Sequence, residues 1–384
     1  MIGAGAHLAR LGSFGLAAAA ALALTVNAFT VSFHAARLGL VLSALLVMHL
    51  VRIARVVFPR EALIYGGFLA YMLLELLWTD DKQLALNTIV PAATFVIILV
   101  LFASLAVYHD LKAVITGAIT GFLVGAALYA RDSGFPFQYP AEFSYNSIAG
   151  MYLFGLIVTL LLASIARRKA FLFVLAAAIG IHIVATTSIK TNVGILLGGL
   201  AAGAIHFGYV SRLLWRNALV VLAAAAVLAF AIVSNEAAVA TIERGTDRVA
   251  LGIEILLARE DLPGYTAFEK RANWQREGFR GWSENPVFGH GVEAFRSKYG
   301  ITSHASHVDI AYNSGLIGLA LFYSLFASMF LRLYRARSSD MRNTRLIILG
   351  GTACYMFMTF AGTIHYNAFL AAFMALGIGV LKRA

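Results

Sequence analysis

The residues best suited to chemistry in this chain are collected in one polar stretch, residues 271–318, of an otherwise apolar sequence. The stretch carries basic side chains and two histidines that stand three residues apart, namely Arg271, Arg276, Arg280, His304 and His307. Guanidinium groups offer paired hydrogen bonds to phosphate oxygens, and an unperturbed histidine titrates near neutral pH. The stretch therefore predicts a site that binds a phosphorylated ligand and accepts a proton at a histidine.

Other interpretations of these side chains remain open at this point. On a helix His304 and His307 would share one face, which suits a metal pair as well as a base or a helix cap. No third and fourth ligands stand at a recognisable spacing, so we expect no metal and no cofactor. The arginines could instead pair with lipid phosphates or with loop carboxylates. The sequence has no nucleotide-binding loop, no G-x-S-x-G elbow and no D-x-D metal motif.

The composition indicates which elements must hold this site in place. Of the 384 residues, 60% are hydrophobic and only 13% are charged, and the mean hydropathy is +0.81. A water-soluble domain of this size needs a far more polar surface, so the chain is predicted to be a polytopic membrane protein. The net charge of +11 comes largely from bases in short loops between apolar segments, which argues against nucleic-acid binding.

Apolar stretches long enough to cross a bilayer recur along the whole chain. They predict an all-α membrane protein with about 12 transmembrane helices, at residues 13–33, 38–58, 62–79, 84–107, 111–130, 145–166, 170–187, 192–210, 216–234, 308–331, 346–363 and 366–381. The chain then divides into predicted helices 1–9 (residues 1–234), one large loop domain (residues 235–307) and predicted helices 10–12 (residues 308–384).

Basic residues follow the even-numbered predicted helices and place those ends, with both termini, on the cytoplasmic side. The large loop between predicted helices 9 and 10 therefore faces outward, together with the shorter loops that follow predicted helices 5 and 7. Lys190 lies in the loop after predicted helix 7, at a membrane edge where a charge is costly and more often functional. Asn146 ends the loop after predicted helix 5 and is a further candidate for substrate binding.

The stretch 271–318 resembles the signature region of the O-antigen ligase and O-antigen polymerase superfamily of bacterial membrane glycosyltransferases. An R-x-x-W element (RANW) at residues 271–274 precedes a P-x-x-G-x-G turn (PVFGHG) at residues 286–291. His304 then stands eleven residues before a G-L-I-G step at residues 315–318. It matches the catalytic histidine of that family.

The resemblance implies a metal-independent, inverting transfer of a glycan from undecaprenyl diphosphate to an acceptor hydroxyl on the periplasmic side of the bacterial inner membrane. Lys190 takes the place of the arginine that the family usually carries on an earlier outward hairpin. With Arg271 it would bind the diphosphate, and His304 would orient or deprotonate the hydroxyl. The remaining candidates for substrate binding are Arg276, Arg280, His307, Trp274 and Asn146.

The acceptor decides between two activities that need the same residues. A lipid A–core sugar as acceptor defines an O-antigen ligase, which we favour, whereas a second lipid-linked repeat unit defines a polymerase of O-antigen, capsule or exopolysaccharide. A lipid-linked glycan flippase or another transporter is the alternative from a different class. It would place ionisable residues deep in several helices, where the few candidates are Glu75, His182 and His206.

Overall fold

In the computed structural model, the residues described are 2–29, 35–133, 145–166, 170–185, 195, 266–336, 342–362 and 364–383. The regular structure of these residues is helical, as the sequence predicts. We number the helices α1 (Ile2–Phe29), α2 (Ala35–Ile53), α3 (Arg60–Glu75), α4 (Lys82–Tyr108), α5 (Leu111–Ser133), α6 (Tyr145–Ile165), α7 (Ala170–Ala185), α8 (Thr266–Trp282), α9 (Ala294–Tyr299), α10 (Ser306–Arg335), α11 (Arg342–Ala361) and α12 (Ala368–Lys382).

Four of these helices are long and apolar enough to cross a membrane. The segments concerned are Leu8–Ala28, Lys82–Tyr108, Leu111–Arg131 and Ser306–Arg335, and shorter apolar helices cover Gly150–Ile165, Phe171–Gly180 and Ala368–Lys382. The chain is therefore an all-helical, membrane-associated protein in the part that the structure describes. Apart from Ile195, predicted helices 8 and 9 lie outside the described residues, as does the predicted loop domain up to residue 265.

Small residues allow α1 and α5 to approach each other closely. α5 carries a glycine every fourth residue, at Gly117, Gly121 and Gly125, and all three face α1. A side chain at Gly121 would overlap with the main chain of Ala18, so the two helices touch at the level of their backbones. This is the close packing that small residues permit in apolar surroundings, where water does not drive helices together.

The core is centred on α4 and α12, which pack against each other. Every residue of α12 from Phe369 to Val380 is buried. A helix that is apolar on all sides belongs in the middle of a bundle, because it has no face that favours water. Gly379 of α12 lies directly against Ala106 of α4. Around this pair, α2 and α3 contact α4, whereas α6, α10 and α11 contact α12.

Basic residues gather at one end of the bundle, which we call the arginine end and define by Arg52, Arg60, Arg332, Arg335 and Arg383. Arg52 of α2 donates to main-chain carbonyls at the start of α1. Arg383 follows α12 and donates to main-chain carbonyls at the end of α4. The other three arginines line one cavity formed by the start of α3 and the ends of α10 and α12.

The opposite end of the bundle, where α3 ends and α10 begins, carries the sequence motifs. α8 and α9 pack there against α10. Thr79, which follows α3, donates its hydroxyl to the Val292 carbonyl at 2.8 Å, and Tyr71 of α3 donates to the Phe288 carbonyl at 3.0 Å. We call this the motif end, made of α8, α9 and residues 283–318.

The junction between α2 and α3 differs from the sequence prediction, which extends the second helix from 38 to 58. α2 ends at Ile53, because Ala54 adopts a left-handed conformation (φ 54°). Pro59 then precedes α3 as its N-cap residue. A proline disfavours helical backbone in the residue before it, so Pro59 keeps Phe58 out of a helix, although α2 has already ended at Ile53.

Candidate functional site

Helix α10 is broken at Gly315, whose backbone angles (φ 61°, ψ −159°) lie far from helical values. In an unbroken helix the N–H groups after the break, at Leu316 and Ile317, would donate to carbonyls four residues earlier. The break separates them from those carbonyls, which belong to the buried residues Tyr312 and Asn313. Each of the four groups needs another partner, because an unpaired main-chain group away from water is costly.

The P-x-x-G-x-G turn supplies the missing partners through four main-chain hydrogen bonds. Two N–H groups of the turn donate to the freed carbonyls, and two carbonyls of the turn accept from the freed N–H groups. The pairs, with the donor first, are His290 to Tyr312 (2.9 Å), Gly291 to Asn313 (2.8 Å), Leu316 to Pro286 (2.9 Å) and Ile317 to Val287 (3.4 Å). The turn and the G-L-I-G step are therefore two halves of one structural unit.

Two glycines allow this close approach of the two segments. Gly289 (φ 72°) faces the main chain of Asn313, and Gly315 faces the carbonyl of Val287. A Cβ atom at either position would overlap with those backbone atoms. Both glycines also have positive φ angles, which residues with side chains disfavour. Backbone geometry therefore requires glycine at both positions.

Asn313, which sequence reasoning did not identify, orders the short helix α9. Its side-chain oxygen accepts a hydrogen bond from the N–H of Phe295 at 2.8 Å. The rings of Phe295 and Tyr312 meet edge to face at 5.2 Å between centroids. His290 Nε2 donates to the carbonyl of Gly281 at 2.8 Å, which ties the turn to α8. No local spacing marks Asn313 in the sequence, because its partner lies 18 residues earlier.

His304 lies in the loop before α10, whereas His307 lies in its first turn, so the two histidines do not share a helical face. α10 begins at Ser306, and His304 has a left-handed backbone (φ 62°). Its half-buried ring is next to Trp274 of α8, with 5.6 Å between ring centroids. A strained backbone that its surroundings maintain is common at functional positions. The tryptophan of the R-x-x-W element and the candidate catalytic histidine are therefore neighbours in space.

Hydrogen bonds fix the loop of His304 on both sides. Before it, the N–H of Ser303 donates to Asp309 Oδ1 of α10 at 2.8 Å. After it, the Ser306 hydroxyl donates to the Gly362 carbonyl at 2.8 Å, in the connection between α11 and α12. His304 is thus positioned by two elements that are distant from each other in the sequence.

His307 lies in the first turn of α10 and has different neighbours. Its ring centroid is 5.9 Å from that of Phe279 on α8 and 5.1 Å from that of Phe360 on α11. These contacts join three helices at the motif end. They fit a packing role for His307. Its aromatic neighbours are Phe279 and Phe360, whereas that of His304 is Trp274.

The described residues cover only part of the predicted cation cluster. Arg276 and Arg280 are exposed on successive turns of α8, and Arg276 donates to the side chain of Asn273 at 3.3 Å. The main chain of Arg271 belongs to α8, three residues before Trp274. Three side chains that the sequence assigns to the site lie outside the described part of the chain, namely those of Lys190, Arg271 and Asn146.

Buried carboxyl groups at the motif end are a feature that the sequence did not single out for the site. Glu293 precedes α9 with a left-handed backbone (φ 61°), and its Oε1 accepts from the Thr88 hydroxyl at 2.8 Å. Burial raises the pKa of Glu293 and outweighs the Thr88 hydrogen bond and the Arg296 charge, which lower it. The Asp309 charge acts in the same direction as burial. Glu293 and Asp309 are buried, whereas Arg276, Arg280 and Arg296 are exposed beside the exposed acids Glu277 and Glu284.

Among the described residues, no group of three or more histidine, cysteine, aspartate or glutamate side chains is arranged to hold a metal ion. Comparisons of the sequence with protein-family models and with curated proteins found no match. The functional interpretation therefore depends on the motif residues and on the geometry that joins them.

Proposed function

We propose that this protein is a membrane glycosyltransferase of the O-antigen ligase type. It would transfer a glycan from undecaprenyl diphosphate to a hydroxyl group of a lipid A–core sugar at the periplasmic face of the bacterial inner membrane. The observation that supports this proposal most strongly is the contact between the rings of His304 and Trp274, at the end of the bundle where a turn is hydrogen-bonded into the break of α10. Residues from separate motifs, which the resemblance assigns to one active site, are thereby close together.

The proposed reaction breaks the bond between the anomeric carbon of the sugar and the diphosphate. The acceptor hydroxyl oxygen attacks that carbon from the opposite side, which inverts its configuration, and His304 accepts the hydroxyl proton. The diphosphate leaves with the bonding electron pair, and cations stabilise its charge, so no general acid is required. We assign this role to Arg271 and Lys190, with Arg280, in a scheme that needs no metal or cofactor.

The surroundings of His304 suit a base that must be held in one orientation. Its loop is fixed through Ser303 and Ser306, and the adjacent indole of Trp274 limits the movement of the imidazole ring. A base held in this way can meet the acceptor hydroxyl at hydrogen-bonding distance. Such positioning supplies much of the rate in reactions between two bound substrates.

In this proposal the motif end faces the periplasm and the arginine end faces the cytoplasm. Basic residues favour the cytoplasmic side of a membrane, and the arginine end collects them from several helices. A lipid-linked donor lying in the bilayer would then present its diphosphate to the outer surface, where Arg276 and Arg280 are exposed.

A polymerase of O-antigen, capsule or exopolysaccharide units remains the nearest alternative, because it would use the same residues with a different acceptor. A flippase or transporter would need ionisable groups in several membrane-spanning helices. Of the candidates for such a role, Glu75 is buried at the end of α3. The side chain of His182 and all of His206 lie outside the described residues.

The test uses purified full-length protein in detergent, with an undecaprenyl diphosphate-linked repeat unit as donor. Rough lipopolysaccharide and additional donor are offered as acceptors in separate reactions. Transfer onto lipopolysaccharide supports a ligase, whereas a ladder of longer lipid-linked chains identifies a polymerase.

His304→Gln should lower either activity about 10²- to 10⁴-fold, which is the usual contribution of a general base. The control is His109→Gln, at a buried histidine that follows α4 at the arginine end. It makes the same chemical change far from the proposed site and should retain transferase activity at neutral pH. If wild type forms neither product, or if His304→Gln is as active as wild type, the proposal is wrong. A transport assay with the same lipid-linked donor would then be the next measurement.

A further inference from the structure

A cavity of about 340 Å³ opens at the arginine end between α3, α10 and α12. Its walls carry three guanidinium groups, from Arg60, Arg332 and Arg335, together with the Ser328 hydroxyl and leucine side chains. The volume falls within the range of about 300–1,000 Å³ that is usual for small-molecule sites. The cavity is at the opposite end of α10 from His304, so it is separate from the proposed active site.

One of the three arginines is held in place by a buried acid. Arg332 donates from Nε to Glu61 Oε1 at 2.6 Å and from Nη2 to Glu61 Oε2 at 3.0 Å. The Ser328 hydroxyl donates to the same Oε1 at 2.6 Å, and Glu61 is fully buried. This paired geometry orients the guanidinium plane. Nη1 takes no part in the bonds to Glu61 and is left as a donor for another acceptor.

The other two arginines, Arg60 and Arg335, have exposed side chains. Within the described part of the chain, no carboxylate forms an ion pair with either of them. Arg60 is also the first residue of α3, and its N-cap residue, Pro59, makes no side-chain cap. The positive end of the α3 dipole therefore adds to the guanidinium charges, while the negative ends of α10 and α12 offset part of them. Among the described residues at the cavity, three arginines stand against a single carboxylate, so this part of the cavity is positive.

We propose that this cavity binds a phosphate group, carried either by a phospholipid head group or by a soluble phosphate. Guanidinium groups bind phosphate oxygens in a bidentate geometry that lysine cannot reproduce, and the cations that line the cavity within the described part of the chain are arginines. Leu331 and Leu381 give the cavity an apolar side. The bound phosphate would link α3 to the end of α10, and the site does not depend on the proposed glycosyltransferase function.

The test uses full-length protein in a neutral detergent and measures binding by isothermal titration calorimetry. The probes are short-chain phosphatidylglycerol, the matching diacylglycerol without phosphate, and inorganic pyrophosphate. Arg60→Gln and Arg335→Gln should each weaken binding of the phosphate-bearing probe about fivefold, and the double variant about 25-fold, from the usual contribution of one basic residue to binding an anionic lipid. The matched control is Arg55→Gln, which changes an exposed arginine between α2 and α3 that does not line the cavity.

None of these substitutions removes the Glu61–Arg332 pair, so the fold should be retained, and the melting temperature without ligand checks this. Binding of phosphatidylglycerol alone, with the expected dependence on Arg60 and Arg335, supports the proposal with a lipid head group as ligand. Binding of pyrophosphate with the same dependence supports it with a soluble phosphate as ligand. Equal binding of the diacylglycerol, equal weakening by Arg55→Gln, or unchanged binding in the double variant would overturn it.

Discussion

Gly289 and Asn313 lie so close together that a methyl group on Gly289 would overlap with the Asn313 carbonyl. This contact joins the turn at 286–291 to the break in α10. Gly289 has φ 72°, and Gly300, at the end of α9, has the same angle but no atom within 4 Å of an added Cβ. The two glycines therefore differ in their surroundings and not in their φ angle.

Gly289→Ala should destabilise the protein more than Gly300→Ala does. Gly300→Ala should cost about 1–2 kcal/mol, because alanine disfavours the left-handed backbone. Gly289→Ala should cost about 1–3 kcal/mol more, since the turn must also move away from α10. The measurement is thermal unfolding of both variants in detergent. Equal melting temperatures for the two variants would contradict the tight contact between the turn and α10.

Trp274→Ala should lower transferase activity by about 10- to 100-fold, because the ring of His304 would lose a neighbour that limits its movement. Trp274→Phe keeps an aromatic ring and should retain most of the activity. Phe279→Ala is the control, since it removes a ring from the same helix that lies beside His307. If Phe279→Ala and Trp274→Ala reduce activity equally, Trp274 has no special role in positioning His304.

Glu293 should make the protein less stable as the pH rises. Burial places its pKa in the folded protein above the ordinary value of 4.5. The folded protein therefore binds more protons than the unfolded chain once the pH exceeds that value. The free energy of unfolding then falls until the pH passes the folded-state pKa. Glu293→Gln keeps an acceptor for Thr88 and removes the charge, so it should raise the free energy of unfolding at neutral pH.

The measurement is the free energy of unfolding of Glu293→Gln and wild type across acidic and neutral pH. The gain in the variant should disappear at acidic pH, where the carboxyl is protonated in both states. Glu284→Gln, at an exposed position on the same segment, is the control and should leave the stability nearly unchanged. A Glu293→Gln protein that is less stable than wild type at neutral pH would show that the charge is favourable.

Two buried histidines at the arginine end form a chain of hydrogen bonds. His49 Nε2 donates to the Arg55 carbonyl at 2.9 Å, because a carbonyl can only accept. In a neutral ring, His49 Nδ1 then accepts from His109 Nε2 at 2.9 Å. His109 Nδ1 lies 2.6 Å from the Ser13 hydroxyl, whose single proton is shared between this nitrogen and the Ala9 carbonyl at 2.8 Å. An additional proton on His109 would make Ser13 Oγ the acceptor of this contact, with the Ser13 proton donated to the Ala9 carbonyl.

The protein should lose stability in acid through His109, because the ring is buried. Burial lowers the pKa of His109 from 6.5 to about 4, and the charges of His49, Arg52 and Arg383 act in the same direction. Between these values the unfolded chain binds more protons than the folded protein. The stabilisation is complete above pH 6.5 and decreases as the pH falls toward about 4, by about 3 kcal/mol for this group.

His109→Gln should reduce the dependence of the unfolding free energy on pH in this range. Burial also lowers the pKa of His365, to about 3, so part of the acid dependence should remain in the variant. Thermal unfolding in detergent, followed by circular dichroism at a series of pH values, measures the difference. An unchanged pH dependence in the variant would exclude His109 as a source of the acid sensitivity.

Hydropathy alone was sufficient to locate many of the described helices. Predicted helix 84–107 corresponds to α4 (Lys82–Tyr108), and predicted helix 111–130 corresponds to α5 (Leu111–Ser133). A span of hydrocarbon requires a continuous apolar run, which is a local property of the sequence. Motif spacing likewise selected Trp274 and the glycines of the turn. The structure shows what they contact, namely the ring of His304 for Trp274 and nearby backbone atoms for the glycines.

The tertiary structure alone decided how the motifs fit together. A helix break leaves four main-chain groups unpaired, and it forms at Gly315 because the distant turn at 286–291 pairs with all four. The loop of His304, held by Ser306 and Gly362, and the hydrogen bond from Phe295 to Asn313 likewise depend on partners that are remote in sequence. Spacing along one chain identifies residue types that could react. Only the packing of distant segments determines which of them are neighbours, because main-chain hydrogen bonds and steric fit act in space.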